Sequence, residues 1–111
     1  YKKAQRIRSL LKFEFENIMN TVDVLIGPTT PSTAFSIGDR NDDPLRMYMS
    51  DLYTVPANII GCPAISFPVG YLDKKPLGLQ MMGTYGHENR LLKFTRKLQL
   101  HFRRSRLYDD I

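Results

Sequence analysis

One carboxylate, Asp51, is the residue of this sequence whose surroundings most suggest chemistry. Its neighbours four positions away on a helix, Met47 and Val55, are both apolar, and the adjacent Leu52 is expected in the core. A carboxylate at the border of an apolar stripe needs a cation or several hydrogen-bond donors to stay ionised. Two interpretations stay open: a structural salt bridge within the fold, or a receptor for a cationic ligand group such as an α-ammonium.

Thr29 and Thr30 form a second candidate, because they follow a predicted strand at its carboxyl end. Open α/β sheets place their ligand sites at such ends. The alternative is turn chemistry, in which hydroxyls between Pro28 and Pro31 satisfy nearby backbone groups. We favour the turn interpretation for this pair.

Other reactive side chains do not form a recognisable site. His87 and His101 stand at the start and the end of a predicted helix, where surface or capping roles are expected. The single cysteine, Cys62, excludes an internal disulfide and is interpreted as buried filler. The sequence has no phosphate-binding glycine loop, nucleophile elbow or metal-ligand spacing. It therefore predicts neither a catalytic residue nor a metal site in this chain.

The elements before the Asp51 segment are a helix, a strand and a loop. Residues 24–27 are a short apolar run that predicts a strand buried on both faces. Residues 28–43 predict a long loop. A helix over residues 1–21 is predicted from a core-facing stripe of apolar side chains three or four apart: Ala4, Ile7, Leu11, Phe15, Ile18 and Val22.

The segment that carries Asp51 is predicted to be helical. Asp43 can cap the free backbone N–H groups, and Pro44 suits the first helical position. The helix should run to about Val55, where Pro56 breaks or kinks it, and one further turn should end at Gly61. The side chains expected to be buried are Leu45, Tyr48, Leu52 and Val55.

The second half of the chain predicts a hairpin and a helix. Residues 64–71 and 77–84 are predicted to be two strands around a polar turn, with a bulge or an edge at Pro68. The last helix should start near His87, and residues 103–111 should form a frayed tail. The side chains of this helix that are predicted to be buried are Leu91, Thr95, Leu98 and Phe102. The alternation predicts an α/β fold, in which the strands of this chain belong to a larger mixed β-sheet covered by helices.

The net charge of +5 is unevenly placed along the 111 residues. Residues 90–106 hold seven basic side chains and no acidic one, and residues 2–12 hold five more. Such faces can meet RNA or an acidic partner subunit. The simpler interpretation is two solvated faces of amphipathic helices, since no aromatic-interleaved RNA motif accompanies the charges.

Several motifs carry a family resemblance over Tyr1 to about Phe102. They are Tyr-x-Lys-Ala-Gln at the start, Gly-Pro-Thr-x-Pro over residues 27–31, Asp-Asp-Pro-Leu-x-Met-Tyr from Asp42, Val-Pro-Ala-Asn from Val55, Gly-x-Pro-Ala-Ile-Ser from Gly61 and Pro-x-Gly-Leu-Gln from Pro76. The chain resembles the amidase signature family and, within it, the A subunits of glutamyl-tRNA(Gln) amidotransferases. The resemblance implies that residues 1–111 are the C-terminal portion of one amidase-signature domain.

The resemblance also implies an activity for the longer protein. Such subunits release ammonia from glutamine for the conversion of Glu-tRNA(Gln) to Gln-tRNA(Gln). A serine nucleophile, a second serine and a lysine do the chemistry in this family, and no position here corresponds to them. Asp51 matches the family aspartate that holds the α-ammonium of glutamine. The implied partners are a B subunit, which uses ATP and Mg, and a C subunit; this chain is expected to bind no cofactor.

Two other functions remain open at this stage. The chain could belong to another amidase signature hydrolase acting on a small amide, or it could be a non-catalytic basic module that binds RNA or a partner subunit. No apolar run approaches the ~20 residues of a membrane span, so no membrane contact is expected. The expected location is the cytoplasm of a bacterium or an organellar matrix. The absence of an initiator methionine suggests a piece of a longer protein.

The isolated 111-residue chain is expected to release no ammonia from glutamine. No serine in it has a lysine or histidine placed to activate it as a nucleophile. The measurement is ammonia release by the purified chain against a buffer blank. Saturable turnover would contradict the assignment of the chemistry to residues outside this chain.

Overall fold

A computed structural model describes residues 1–38 and 44–104 of the chain. Helices and strands follow one another in the predicted order. The elements are α1 (Lys2–Met19), β1 (Leu25–Pro28), α2 (Pro44–Ser50), α3 (Val55–Ile60), β2 (Ala64–Leu72), β3 (Lys75–Met82) and α4 (Glu88–Arg104).

The sheet is built on the predicted β2–β3 hairpin. Asp73 and Lys74 form its two-residue turn, and both have left-handed backbones with φ of 51° and 61°. A two-residue turn with this backbone conformation matches the right-handed twist of the two strands that it joins. The register shifts between Pro68 and Gly70, which confirms the predicted bulge. A bulge lets the strand accept a proline that cannot donate to the ladder.

The strand order is β1-β3-β2, and both pairings are antiparallel. The described strands are thus all antiparallel, and their place in a larger mixed sheet stays a prediction. β1 pairs with β3 alone and lies at an edge, and Ile26 on it is 52% exposed. The prediction that this strand is buried on both faces is wrong for the described residues, because burial of a face needs a layer packed over it, and the described residues leave about half of Ile26 uncovered.

The core lies between α4 and one face of the sheet. Met81 is fully buried, and Phe67 and Leu91 are 4% exposed beside it. On α4, Leu91 and Thr95 are buried while Leu98 and Phe102 are partly buried, which confirms the predicted stripe. The hydroxyl of Thr95 donates to the Leu91 carbonyl at 2.9 Å, so this buried polar group is satisfied.

The apolar faces of the other helices are largely exposed, contrary to prediction. In α1, Phe15 and Met19 are buried, but Ile7 is 50% and Ile18 46% exposed. The side chains predicted to be buried in the Asp51 segment are likewise exposed: Leu45, Tyr48, Leu52 and Val55. Helical spacing predicts which face is apolar. Burial needs a second surface, and the described residues cover little of these faces.

The helix predicted from Pro44 to Val55 is interrupted. α2 ends at Ser50, residues 51–54 form a turn, and α3 begins at Val55. Pro56 therefore lies in the first turn of α3, where its missing N–H costs no helical hydrogen bond, and it does not break a helix. Gly61 ends α3 with a left-handed backbone, φ 78°, as predicted.

Three sequence predictions reach residues outside the described part of the chain. The capping role of Asp43 and residues 39–43 of the predicted 28–43 loop lie there, as do residues 105–111 of the predicted tail. Arg103 and Arg104 belong to α4, so the helix continues two residues past its predicted end. Within the described residues, no helix combines the length and the apolar character needed to cross a bilayer.

Replacing Met81 with alanine is expected to destabilise the fold by about 2–5 kcal/mol. The side chain is 0% exposed and lies at the centre of the cluster between β3 and α4, so truncation leaves a cavity. Leu92→Ala is the control, since Leu92 is 54% exposed on α4 and should cost much less. Urea unfolding of both variants checks this. Equal losses would show that the core lies elsewhere.

Candidate functional site

The two faces of the sheet have different neighbours. In antiparallel strands, directly paired residues point to the same face and successive residues alternate. Met81 pairs with Ile65 and points toward α4, so the next pair, Gln80 and Ser66, points to the opposite face. The candidate site is built on this opposite face.

The turn over residues 51–54 is attached to this face by Gln80. Its Nε2 donates to the carbonyl oxygen of Tyr53 at 2.7 Å, and the side chain is only 7% exposed. The sequence interpretation missed Gln80. The available signal was a polar residue in the middle of an otherwise apolar strand, where a buried amide must find a partner.

Asp51 is the first residue of that turn and is exposed. Its carbonyl oxygen accepts hydrogen bonds from the N–H groups of Thr54, at 3.1 Å, and Val55, at 3.0 Å. Met47 and Leu52 are also exposed, so the apolar surroundings that drew attention to Asp51 do not bury it here. No side chain in the described ranges pairs with its carboxylate, and the salt-bridge interpretation finds no support there.

Thr29 and Thr30 have separate roles. The N–H of Thr29 donates to the Gly78 carbonyl at 3.0 Å, and its hydroxyl lies 2.6 Å from that of Ser66. Thr29 is therefore bound to the hairpin on the face of the sheet that points away from α4. The hydroxyl of Thr30 donates to the carbonyl of Ser32 at 2.8 Å, a local bond of the kind expected in a turn.

Gly78 makes the close approach of Thr29 feasible. A Cβ at position 78 would lie 2.8 Å from the Thr29 Oγ1, 3.1 Å from its Cβ and 3.3 Å from the Ser66 Oγ. The first of these distances is shorter than nonbonded atoms tolerate, so a larger residue would displace the 29–35 loop from β3.

A pocket of about 280 Å³ lies beside this contact. Its walls come from the loop over residues 29–35, from Pro76 and Gly78 of β3, and from Ser50 at the end of α2. Ser50 directly precedes Asp51. The structure thus brings the Thr29–Thr30 loop and the end of the helix before Asp51 to one pocket, although they are about twenty residues apart in sequence.

The remaining reactive side chains form no site of their own. Burial raises the pKa of the Cys62 thiol, so this group stays protonated at neutral pH and is a poor nucleophile. His87 and His101 are both exposed. The described residues contain no cluster of three or more His, Cys, Asp or Glu side chains that could hold a metal ion.

Three of the basic side chains bind acceptor groups within the chain. Arg8 donates to the Ile59 carbonyl at 2.8 Å and joins α1 to α3. Arg90 on α4 forms an ion pair with Asp23, which precedes β1. Lys12 lies 4.0 Å from Glu16 one helical turn later. These three cations have structural partners, whereas Lys93, Arg96 and Lys97 contribute to the basic surface of α4.

Comparison with known sequences connects this arrangement with one family. The family model described as Amidase matches residues 1–92. The A subunit of glutamyl-tRNA(Gln) amidotransferase from Geobacillus thermodenitrificans is 53% identical over 89 residues, which cover 80% of this chain and 18% of the relative. The corresponding protein of Legionella pneumophila is 46% identical over 91% of this chain and 21% of its own length. The chain thus spans about a fifth of these curated relatives.

Solved structures give the same result. The A subunit of glutamyl-tRNA(Gln) amidotransferase from Thermotoga maritima superimposes with a TM-score of 0.79 and 36% identity, over 83% of this chain and 20% of that one. A structure of 6-aminohexanoate cyclic dimer hydrolase gives a TM-score of 0.71 and 25% identity, over 91% of this chain and 23% of the other.

Gly78→Ala is expected to destabilise the protein by about 1–3 kcal/mol, because the new Cβ overpacks against Thr29. Gly27→Ala is the matched control on the neighbouring strand, where an added Cβ meets nothing within 4 Å. Thermal unfolding of the two variants is the measurement. Thr29→Ala in the Gly78→Ala background should recover part of the loss, and equal stability of the two alanine variants would contradict the close contact.

Proposed function

This chain belongs to the amidase family, and from that premise we propose that it is the C-terminal part of the glutaminase component of a tRNA-dependent amidotransferase. The observation that carries the proposal is 53% identity to such an A subunit over 80% of the chain. The longer protein would release ammonia from glutamine, and the ammonia would convert Glu-tRNA(Gln) to Gln-tRNA(Gln).

In this proposal Asp51 binds the α-ammonium group of glutamine. The carboxylate stands on an exposed turn next to a pocket, with no described side chain paired to it. An ammonium held there places one end of glutamine, and the carboxamide at the other end is then directed toward the nucleophile. Orientation of this kind lowers the barrier by removing rotational and translational freedom before reaction.

The catalytic groups would come from the part of the protein outside this chain. A serine there would attack the carboxamide carbon, with a second serine and a lysine moving the proton to the departing ammonia. Water would then release glutamate from the acyl-serine. The described residues supply the substrate-binding side of such a site and no activated nucleophile.

Exposed surfaces of the described residues support a larger domain around this chain. β1 and β2 are both edge strands among the described residues, so further strands can add to the sheet and make it mixed. Large apolar side chains on α1 and α2, including Ile7, Leu10, Leu45 and Tyr48, are at least half exposed. Exposed apolar side chains in such number are usually covered by another part of the protein.

The partners follow from the same proposal. A B subunit would use ATP and Mg to activate the charged tRNA, and a C subunit would clasp the glutaminase component; this chain itself would bind neither ATP nor metal. The complex would work in the cytoplasm of a bacterium or in an organellar matrix. The bacterial sources of the relatives above favour the first location.

A second candidate is an amidase that hydrolyses a small amide without tRNA. The TM-score of 0.71 to 6-aminohexanoate cyclic dimer hydrolase keeps it open, because the same fold serves that hydrolase. Ammonia release from glutamine and its stimulation by the charged tRNA distinguish the two. A hydrolase of small amides would show neither.

Asp51→Asn in the full-length complex is expected to reduce kcat/KM for glutamine by about 30-fold to several thousand-fold. The asparagine keeps the shape but removes the charge opposite a desolvated ammonium, which costs roughly 2–5 kcal/mol. Ammonia supplied directly bypasses glutamine, so ammonia-dependent amidation of the charged tRNA should persist. Both rates and the melting temperature are measured on one preparation.

Asp73→Asn is the control, because it makes the same change at an exposed residue of the hairpin turn, where asparagine tolerates the left-handed backbone. This control should leave the glutamine-dependent and the ammonia-dependent rates near those of the unmutated complex. If Asp51→Asn lowers both rates equally together with the melting temperature, Asp51 is a structural residue and the assignment is wrong.

A further inference from the structure

Gln80 is a polar side chain in a position that would suit an apolar one. It lies in β3 between Leu79 and Met81, and it is 7% exposed. Burying an amide costs free energy unless its hydrogen bonds are made. Sheet formation uses only the backbone of residue 80, so the ladder does not require this side chain. Some other contact must account for it.

That contact is the hydrogen bond to Tyr53. The Nε2 of Gln80 reaches the Tyr53 carbonyl at 2.7 Å, across 27 residues of sequence. Asp51 and Thr54 close the same turn, since the Asp51 carbonyl accepts from the N–H of Thr54 and, at 3.3 Å, from its hydroxyl. Because the turn is internally bonded, fixing the Tyr53 carbonyl also holds the Asp51 backbone, from which the carboxylate extends.

The same strand also contributes to the wall of the pocket, through Pro76 and Gly78. Gly78 lies two residues before Gln80 and therefore on the same face, and its carbonyl accepts from the N–H of Thr29. β3 thus attaches the 29–35 loop at residue 78 and the 51–54 turn at residue 80. The distance between these attachments is set by the strand repeat of about 6.6–6.8 Å per two residues.

We propose that Gln80 is a positioning residue for glutamine, which acts through the Tyr53 carbonyl to aim the Asp51 carboxylate. The inference rests on the proposed function and adds to it a specific dependence of glutamine binding on β3. Gln80 itself need not touch the substrate. Loss of its amide leaves Asp51 present but no longer held in one direction.

The test is Gln80→Met in the full-length complex. Methionine is similar in length and fits the buried site, but it cannot donate to the Tyr53 carbonyl. Loss of a buried hydrogen bond of this kind predicts a roughly tenfold fall in kcat/KM for glutamine. The fall should appear mainly as a higher KM, and the ammonia-dependent rate should stay within about twofold, because ammonia does not use Asp51.

Thr95→Val is the matched control for stability. Thr95 is 5% exposed and makes a buried hydrogen bond on the α4 side of the sheet, away from the pocket. It should lower the melting temperature without changing the ratio of the glutamine-dependent to the ammonia-dependent rate. A changed ratio in Gln80→Met but not in Thr95→Val supports the proposal. An unchanged ratio in Gln80→Met overturns it.

A double-mutant cycle with Asp51→Asn decides whether Gln80 acts through Asp51. In the Asp51→Asn background, Gln80→Met should cause no further rise in the KM for glutamine. Full additivity of the two effects would overturn the proposed route. Failure of the proposed function looks different, since the unmutated complex would then use neither glutamine nor ammonia to amidate the charged tRNA.

Discussion

The alternation of side chains along β3 is the constraint on which the rest of this structure depends. Successive residues of a strand must point to opposite faces of the sheet. In β3, Leu79 and Met81 point toward α4, while Gly78 and Gln80 point to the other face. One short strand therefore forms the core on one side and attaches two loops on the other. A register shift of one residue would exchange the two sets and abolish both.

This arrangement explains why the Gly-Leu-Gln sequence has three different requirements. Position 78 must be small because Thr29 approaches it closely, and position 79 must be apolar because it packs toward the core. Position 80 needs a side chain that donates a hydrogen bond, because its amide binds the Tyr53 carbonyl at 2.7 Å. Each requirement comes from a different neighbour, and the three neighbours belong to three separate segments of the chain.

The exposed apolar faces of α1 and of the Asp51 segment give the chain an incomplete surface. Burial of such side chains stabilises a protein by roughly 25 cal/mol per Å² of apolar area, and in the described residues Ile7, Leu45 and Tyr48 are still at least half exposed. The same holds for Asp51, whose carboxylate is exposed here. A covering surface that also reached Asp51 would change the strength of the ion pair proposed there, because desolvation alters both the cost of the charge and its attraction to a cation.

The sequence alone determined the local structure of this protein. Apolar spacing set the helices and strands, polar residues set the hairpin turn, and Pro68 and Gly61 marked a bulge and a helix end, because these effects depend on residues close in the chain. It also singled out Asp51 and Thr29 as candidates, and its motifs carried the family resemblance. Tertiary structure alone decided the pairing of β1 at an edge and the link from Gln80 to Tyr53. Those features depend on which distant surfaces meet, and no local pattern of side chains contains that information.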